Sequence, residues 1–252
     1  MDLSLFSLEG KVAAVTGVSR GLGQGMAVAL AKAGADIIGI GLSGMGETRT
    51  MVEAEGRRAY EIKADLSRSE TASVIAKEAL AAFGKVDILV NNAGIIRLAA
   101  AENHTMEDFD AVMEVNLRSL FLLTRDIARQ MIARGHGKII NICSVQSLKG
   151  GMGDAAYVAS KHAVLGLTRA WANEWGKFNI QVNGIAPGYM VTDNTAKLRE
   201  NKEAVDAITT QIPLGRWGKP KDLMGPAIFL ASEASNFVNG HLLIVDGGYM
   251  NA

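Results

Sequence analysis

Tyr157 and Lys161 stand four residues apart in a run of helical period, so both side chains project from one face of one helix and can share a site. An unperturbed phenol, with a pKa of about 10, is a poor base near neutral pH, but a neighbouring ammonium favours the phenolate and lowers that value. The pair therefore reads as a proton-exchanging group and its activator, against the plainer reading of a solvated helix face. Ser144 lies 13 residues before Tyr157, directly after an apolar strand. There its hydroxyl can donate to an oxygen that gathers charge during a reaction, or simply cap a turn. Asn116 sits inside Val115-Asn116-Leu117, where an amide is costly unless hydrogen-bonded, so it is either a satisfied core amide or part of the site. His104, His136, His162 and His241 form no nucleophile motif, and no His/Cys/acid group has ligand spacing, so no metal is expected. Cys143 reads as a small strand-end hydrophobe.

Something must hold those residues together, and the chain offers a regular scaffold. Apolar, β-branched runs at Lys11–Thr16, Asp36–Gly41, Arg58–Lys63, Val86–Val90, Lys138–Cys143, Ile180–Ile185 and His241–Val245 alternate with stretches of helical period. Strands this short and uniformly apolar belong to a parallel sheet covered on both faces, which predicts a doubly wound α/β fold of seven strands. Strands one to three lie to one side and four to six to the other, with a ligand crevice at the carboxyl ends where the order reverses. Between the first strand and the helix Gln24–Ala33 comes Thr16-Gly17-Val18-Ser19-Arg20-Gly21-Leu22-Gly23. Glycines there permit a tight turn, close approach of backbone to a pyrophosphate and close helix–strand packing, while the helix N-terminus presents unpaired N–H groups to the anion. No linker, repeat or low-complexity run divides the chain, so one domain spanning 1–252 is expected. Val191–Gln211 is the most polar irregular stretch and reads as a mobile helical insertion over the site, about 189–212.

Composition narrows the partners. Twenty-six basic residues balance 26 acidic ones, so the electrostatic footprint of a nucleic-acid or anionic-membrane binder is absent. No stretch approaches the roughly 18 apolar residues of a membrane span. A single cysteine makes no intrachain disulfide, and Asp2 and Glu9 stand where a secretory signal would be basic, which together favour a cytoplasmic protein. The 28 glycines, against 4 prolines, point to many close backbone approaches.

Taken in order, TGxxxGxG from Thr16, Asp65-Leu66, Asn91-Asn92-Ala93-Gly94, Asn116, Ser144, Tyr157-Val158-Ala159-Ser160-Lys161 and Pro187-Gly188 resemble the short-chain dehydrogenase/reductase family across essentially the whole chain. The resemblance implies that Tyr157 exchanges the substrate hydroxyl proton while hydride passes to or from a nicotinamide. It also implies that Lys161 holds the cofactor ribose, that Asn116 holds a water linking Lys161 to solvent, and that Ser144, by its spacing, outranks Ser147. It places the dinucleotide against Gly17, Ser19, Arg20, Gly21, Leu22, Gly23, Ser43, Asp65, Leu66, Asn92, Ala93, Gly94, Tyr157, Lys161, Pro187, Gly188, Met190 and Thr192. Asp65 would hold the adenine amino group, the Asn91–Gly94 run would steady the central strand and the adenosine side, and Pro187-Gly188 would line the nicotinamide.

The stretches Phe6–Val12, Gly21–Met26, Ile96-Arg97, Ala172–Trp175, Ala186–Met190, Gly215–Gly218 and Asp222–Pro226 resemble its bacterial sugar-acid branch. That branch acts on compounds such as 2-deoxy-D-gluconate and 2-dehydro-3-deoxy-D-gluconate. An acid after the second strand would favour NAD, but Ile40-Gly41-Leu42-Ser43-Gly44 carries neither acid nor base. Arg20 and Ser43 pull toward NADP and the branch toward NAD, so NAD is expected first and NADP as the alternative. A sugar-acid carboxylate needs a cation, for which Arg97 is the first candidate and Lys149 and Arg216 are substitutes. Ser144, Gln146, Tyr157 and Tyr189 are the candidate hydroxyl contacts. Reduction of 3-oxoacyl-carrier-protein shares every catalytic motif, and a non-catalytic dinucleotide-binding module is the remaining alternative. Small residues in the late helices, with Trp171 and Trp175 on one segment, suggest packing between like subunits, as in the tetramers usual for the family.

Overall fold

The computed structural model describes residues 3–251; Asp2, part of the argument about the chain start, lies outside them. In chain order the strands are β1 Val12–Thr16, β2 Asp36–Gly41, β3 Ala59–Lys63, β4 Ile88–Asn91, β5 Gly137–Ile142, β6 Ile180–Pro187 and β7 Leu242–Val245. The helices are α1 Gly21–Lys32, α2 Glu47–Ala54, α3 Ala72–Phe83, α4 Met106–Met113, α5 Leu120–Arg134, α6 Ala155–Trp175, α7 Ala196–Arg199, α8 Lys202–Thr209 and α9 Met224–Ala231. The seven strands form one sheet in the order β3-β2-β1-β4-β5-β6-β7, and every pairing is parallel. The order reverses between β1 and β4, as the alternation of strands and helices predicts.

Each strand feeds two cores, because successive side chains point to opposite faces. Val12 and Ala14 of β1 join one cluster, with Ile75 of α3, Ile127 of α5 and Val164 of α6. Ala13 and Val15 join the other, with Leu30 of α1 and Leu230 of α9. Burial on both faces explains why the central strands β1, β4, β5 and β6 read as buried runs and not as alternating ones, whereas the edge strand β3, Ala59-Tyr60-Glu61-Ile62-Lys63, is partly exposed. At the amino end of β4, opposite the crevice, the buried Asp87 carboxylate accepts from Val12 N at 2.9 Å and meets Lys85 and Arg134, each at 2.9 Å.

Two local features depart from the expected pattern. The segment expected as one helical insertion is a capped turn at Asp193–Thr195 followed by two short helices, α7 and α8. Between α4 and α5 the helical run does not break but widens into a π-turn at Glu114–Ser119, with Asn116 inside it. Such a turn carries one residue more than the α-helix around it and is held by its surroundings, not by local propensity. Here the side chain of Ser119 bonds the Leu66 carbonyl and that of Asn116 bonds Ile95.

Candidate active site

The glycine-rich turn leaves β1 and is braced from β4. Gly17 adopts φ +67° and donates its N–H to Ile40 O at 2.8 Å; Gly21 adopts φ +61°. Asn92 Nδ2 donates to Thr16 O (2.9 Å) and Gly17 O (3.0 Å), while the N–H groups of Asn92 and Ala93 both donate to Thr16 Oγ1. A Cβ on Gly23 would overlap the Gly17 carbonyl oxygen and stand 2.5 Å from Asn92 Nδ2. No side chain caps the N-terminus of α1, which follows Arg20 in extended conformation, so its first N–H groups face the crevice free to receive an anion. One residue earlier in β4, Asn91 ties Thr124 of α5 to Asn141 of β5, at 2.8 Å each.

Beyond this turn opens a cleft of about 600 Å³. Its walls include Gly17, Ser19, Arg20, Gly21, Leu22, Ser43, Asp65, Leu66, Asn92, Ala93, Gly94, Arg97, Ser144, Tyr157, Lys161, Pro187, Gly188, Met190 and Thr192. Of the expected cofactor set only Gly23 is off the surface; it lies beneath the turn, whose tight closure requires it. Asp65 accepts from Ser67 N and Ser67 Oγ at 2.9 and 2.7 Å, and these bonds hold its carboxyl below the usual carboxylate range. The cradle, the uncapped helix end and an ionised acceptor under the far rim fit an elongated ligand carrying a pyrophosphate.

Ser144, Tyr157 and Lys161 meet on one wall. Lys161 Nζ donates to Ile142 O at 2.6 Å and stands 5.5 Å from the centroid of the Tyr157 ring, over its face. Ser147 Oγ accepts from Ser144 N and donates to Lys161 O at 2.8 Å, so that hydroxyl is committed to the backbone. Ser144 Oγ accepts from Gln146 N at 3.1 Å, capping the turn that follows β5, and its hydroxyl lies close enough to Tyr157 to oppose the rise of the phenol.

The electrostatics correct the expectation for the tyrosine. Burial pushes the phenol up to about 12, against the smaller opposing effect of the Ser144 hydroxyl. Burial also pulls the Lys161 ammonium down to about 8. The reason is geometric: the ammonium sits over the ring face, while the enclosure that helix spacing cannot reveal penalises the charged form of both groups. At neutral pH this arrangement keeps the proton on Tyr157, ready for donation.

Asn116 is a satisfied amide beside the site and not on its surface. Its Oδ1 accepts from Ile95 N (2.8 Å) and its Nδ2 donates to Ile95 O (3.0 Å) and Ser160 Oγ (3.1 Å). A Cβ on Gly94 would lie 3.3 Å from Asn116 Oδ1 and 3.8 Å from Lys161 Nζ, so these two groups flank one glycine.

Two expected substrate contacts are not on the cleft. Gln146 Nε2 donates at 2.6 Å to Asp154, a buried carboxyl raised by its desolvation, and Tyr189 packs against Trp217 and Tyr249 at 5.2 Å each. Both follow the correct strands, but neighbouring loops capture their side chains. The substitute cations are also engaged elsewhere: Lys149 donates to the Tyr249 hydroxyl at 3.1 Å and Arg216 holds Asp222 through two bonds. Arg97 does line the cleft, 3.4 Å from Asp108. Sequence reasoning missed Asp193, Asn194 and Thr195, which border the same cleft; their only signal was membership of the polar stretch after β6. No group of three potential metal ligands occurs among the described residues, and no described helix is long and apolar enough to cross a membrane.

Comparison with known proteins agrees with this geometry. A family model described as enoyl-(acyl carrier protein) reductase matches residues 17–250. The chain is 52% identical over 251 residues to a 2-dehydro-3-deoxy-D-gluconate 5-dehydrogenase of Dickeya dadantii, covering 99% of each. It is also 52% identical to the Bacillus subtilis protein of the same name, covering 98% of this chain and 97% of that one. Among solved structures, a gluconate 5-dehydrogenase from Burkholderia cenocepacia in complex with NADP and tartrate is 43% identical, covers 99% of each chain and superposes with a TM-score of 0.94.

Proposed function

The chain belongs to the short-chain dehydrogenase/reductase family, and from that premise we propose that it is an NAD(P)-dependent oxidoreductase interconverting a secondary hydroxyl and a ketone on a sugar acid such as 2-dehydro-3-deoxy-D-gluconate. One observation carries the reading: Ser144, Tyr157 and Lys161 line the same cleft as the glycine-rich turn, so proton exchange and dinucleotide binding share one space. When bound, the nicotinamide supplies or accepts the hydride. The turn Gly17–Gly23 and the N-terminus of α1 would hold the pyrophosphate, Asp65 and Ser43 would serve the adenosine half, and Pro187, Gly188, Met190 and Thr192 would border the nicotinamide half.

In the reductive direction Tyr157 gives its proton to the forming alkoxide, which an undissociated phenol is suited to do. Ser144 donates to the same oxygen and stabilises its charge before the proton arrives. Lys161, lowered to about 8 by burial and so still an ammonium at neutral pH, stands over the ring and supports the developing phenolate of Tyr157 as the proton leaves. Arg97 is the cleft cation for the substrate carboxylate, released from Asp108 when the acid binds. The segment 189–212 closes the nicotinamide side.

Trp171 and Trp175, expected between like subunits, instead stack 5.2 Å apart inside the chain's own core, leaving only Phe121 beside them exposed, so a homotetramer in the cytoplasm rests on the family resemblance alone. A panel of sugar acids, hydroxy acids and acyl thioesters, run with both NAD(H) and NADP(H), tests the function. Turnover of deoxy-keto-gluconates is the expected result; reduction of acetoacetyl thioesters alone would replace it with the acyl-carrier-protein activity. Light scattering of the purified protein tests the tetramer.

A further inference from the structure

Arg20 and Asp193 form an ion pair across the mouth of the cleft, Nε to Oδ2 at 2.8 Å. Arg20 leaves the glycine-rich turn on the β1 side and Asp193 comes from the segment after β6, and both border the cleft. Their side chains are 76% and 67% exposed, so the pair is solvated and its partners can be exchanged for a ligand.

Asp193 does not depend on Arg20 for its place. Thr192 and Thr195 cap the turn that carries it reciprocally, Thr195 Oγ1 donates to Met190 O at 2.7 Å, and Arg199 donates to Thr192 O at 3.0 Å. The carboxylate is therefore held at the mouth by its own scaffold, and the guanidinium reaches to it.

The other cations on the cleft wall are engaged elsewhere. Lys161 is buried against Ile142 O, and Arg97 faces Asp108. The end of β2 brings Leu42 and Ser43 to the wall without a charge, and a Cβ on Gly46 would lie 3.9 Å from Ser19 O, so that rim adjoins the turn carrying Arg20. In a doubly wound fold the end of the second strand meets the adenosine ribose, where a nearby Arg accommodates a 2′-phosphate.

On the reading that the cleft takes a nicotinamide dinucleotide, we infer that Asp193 is a specificity-determining residue: by pairing with Arg20 it withholds the rim guanidinium from a ribose 2′-phosphate and biases the cleft toward the dinucleotide that lacks one. The phosphate must displace a carboxylate to gain the arginine, whereas a free ribose hydroxyl leaves the pair intact. An exposed pair of this kind shifts the preference by roughly two- to fivefold.

The test is direct titration of the full-length protein with NADPH and with NADH, followed by nicotinamide fluorescence without substrate. The forms compared are wild type, Asp193→Asn, Arg20→Ala and the double variant. Asp193→Asn tightens NADPH by roughly two- to fivefold with little change for NADH, and in the Arg20→Ala background the same substitution leaves the ratio unaltered. Equal shifts for both dinucleotides, no shift, or an undiminished shift without Arg20 would each overturn the inference. A wild-type protein that binds neither dinucleotide would overturn the functional reading itself, so the two failures are distinct.

Discussion

Adding one methyl group at Gly23 tests whether the glycine-rich turn is built as described. An alanine Cβ there would overlap the Gly17 carbonyl oxygen, reach 2.5 Å from Asn92 Nδ2 and 2.9 Å from Gly17 C. None of these is the tip of a flexible side chain free to swing away, because Asn92 is fixed by its bonds to Thr16 O and Gly17 O. Overpacking of this kind costs about 1–3 kcal/mol, and losing both Asn92 bonds adds about 1 kcal/mol each, so Gly23→Ala costs about 3–5 kcal/mol. At about 2–4 °C per kcal/mol for a chain of this size, melting falls by roughly 6–20 °C. Relief comes only by moving the Gly17 carbonyl and the turn, so dinucleotide affinity falls by roughly 30-fold or more. Gly166→Ala is the control, since a Cβ on that exposed glycine of α6 meets nothing within 4 Å. The same methyl there raises stability by about 0.5–1 kcal/mol and leaves binding unchanged. Fluorescence titration with NADH and thermal unfolding read both variants. A Gly23→Ala protein that binds and melts like wild type would refute the claim that the turn is packed to the limit by its brace from β4.

The other expectations are simpler. Tyr157→Phe abolishes turnover with dinucleotide affinity nearly unchanged, measured by steady-state rates beside a binding titration; retained activity removes Tyr157 as proton donor. Ser144→Ala lowers kcat by roughly 10²–10³ through loss of a donor to the charged oxygen, with a smaller effect on KM. Asp87→Asn costs about 2–3 kcal/mol in chemical denaturation, less than a fully buried pair because Lys85 and Arg134 are partly solvated. Burial alone would raise the Asp87 carboxyl, but Lys85, the Val12 N–H and Arg134 outweigh it and hold the folded value below the ordinary one. Its contribution is therefore complete above the unfolded carboxylate pKa of about 3.9 and is lost as pH falls through the lower folded value, so the two proteins converge in stability below about pH 4. A stability gap that persists unchanged at low pH counts against the charge-based account.

The central strands were readable because each is short, apolar and buried on both faces, the edge strands β3 and β7 being less buried, and the crevice followed from where the strand order reverses. Tyr157 and Lys161 were readable because helical spacing fixes which face a residue occupies. What escaped depends on residues distant in the chain. The enclosure that raises Tyr157 is assembled by several elements, so spacing suggested a lowered phenol where burial gives a raised one. Gln146 and Tyr189 follow the correct strands, but Asp154, Trp217 and Tyr249 determine where their side chains rest, and no local pattern announces those partners. Asp193 looked like one more polar residue in an irregular stretch until Arg20, 173 positions earlier, was found beside it. Gly23 was recognisable as a turn glycine, whereas the tightness that demands it comes from the Gly17 carbonyl held in place by Asn92, just past β4.

The π-turn at Glu114–Ser119 has a consequence for how this helix tolerates changes of length. A π-turn accommodates one surplus residue, so deleting a single residue there would let hydrogen bonding close into continuous α-helix at little local cost. Because the widened turn absorbs the extra residue, the helix on either side would keep its register, and the change would fall on the turn itself. Asn116 would then turn away from Ile95, and the glycine between it and Lys161 would lose its amide support. Shortening this one helix by a residue would thus be nearly invisible to its secondary structure while removing the floor beneath the reactive lysine.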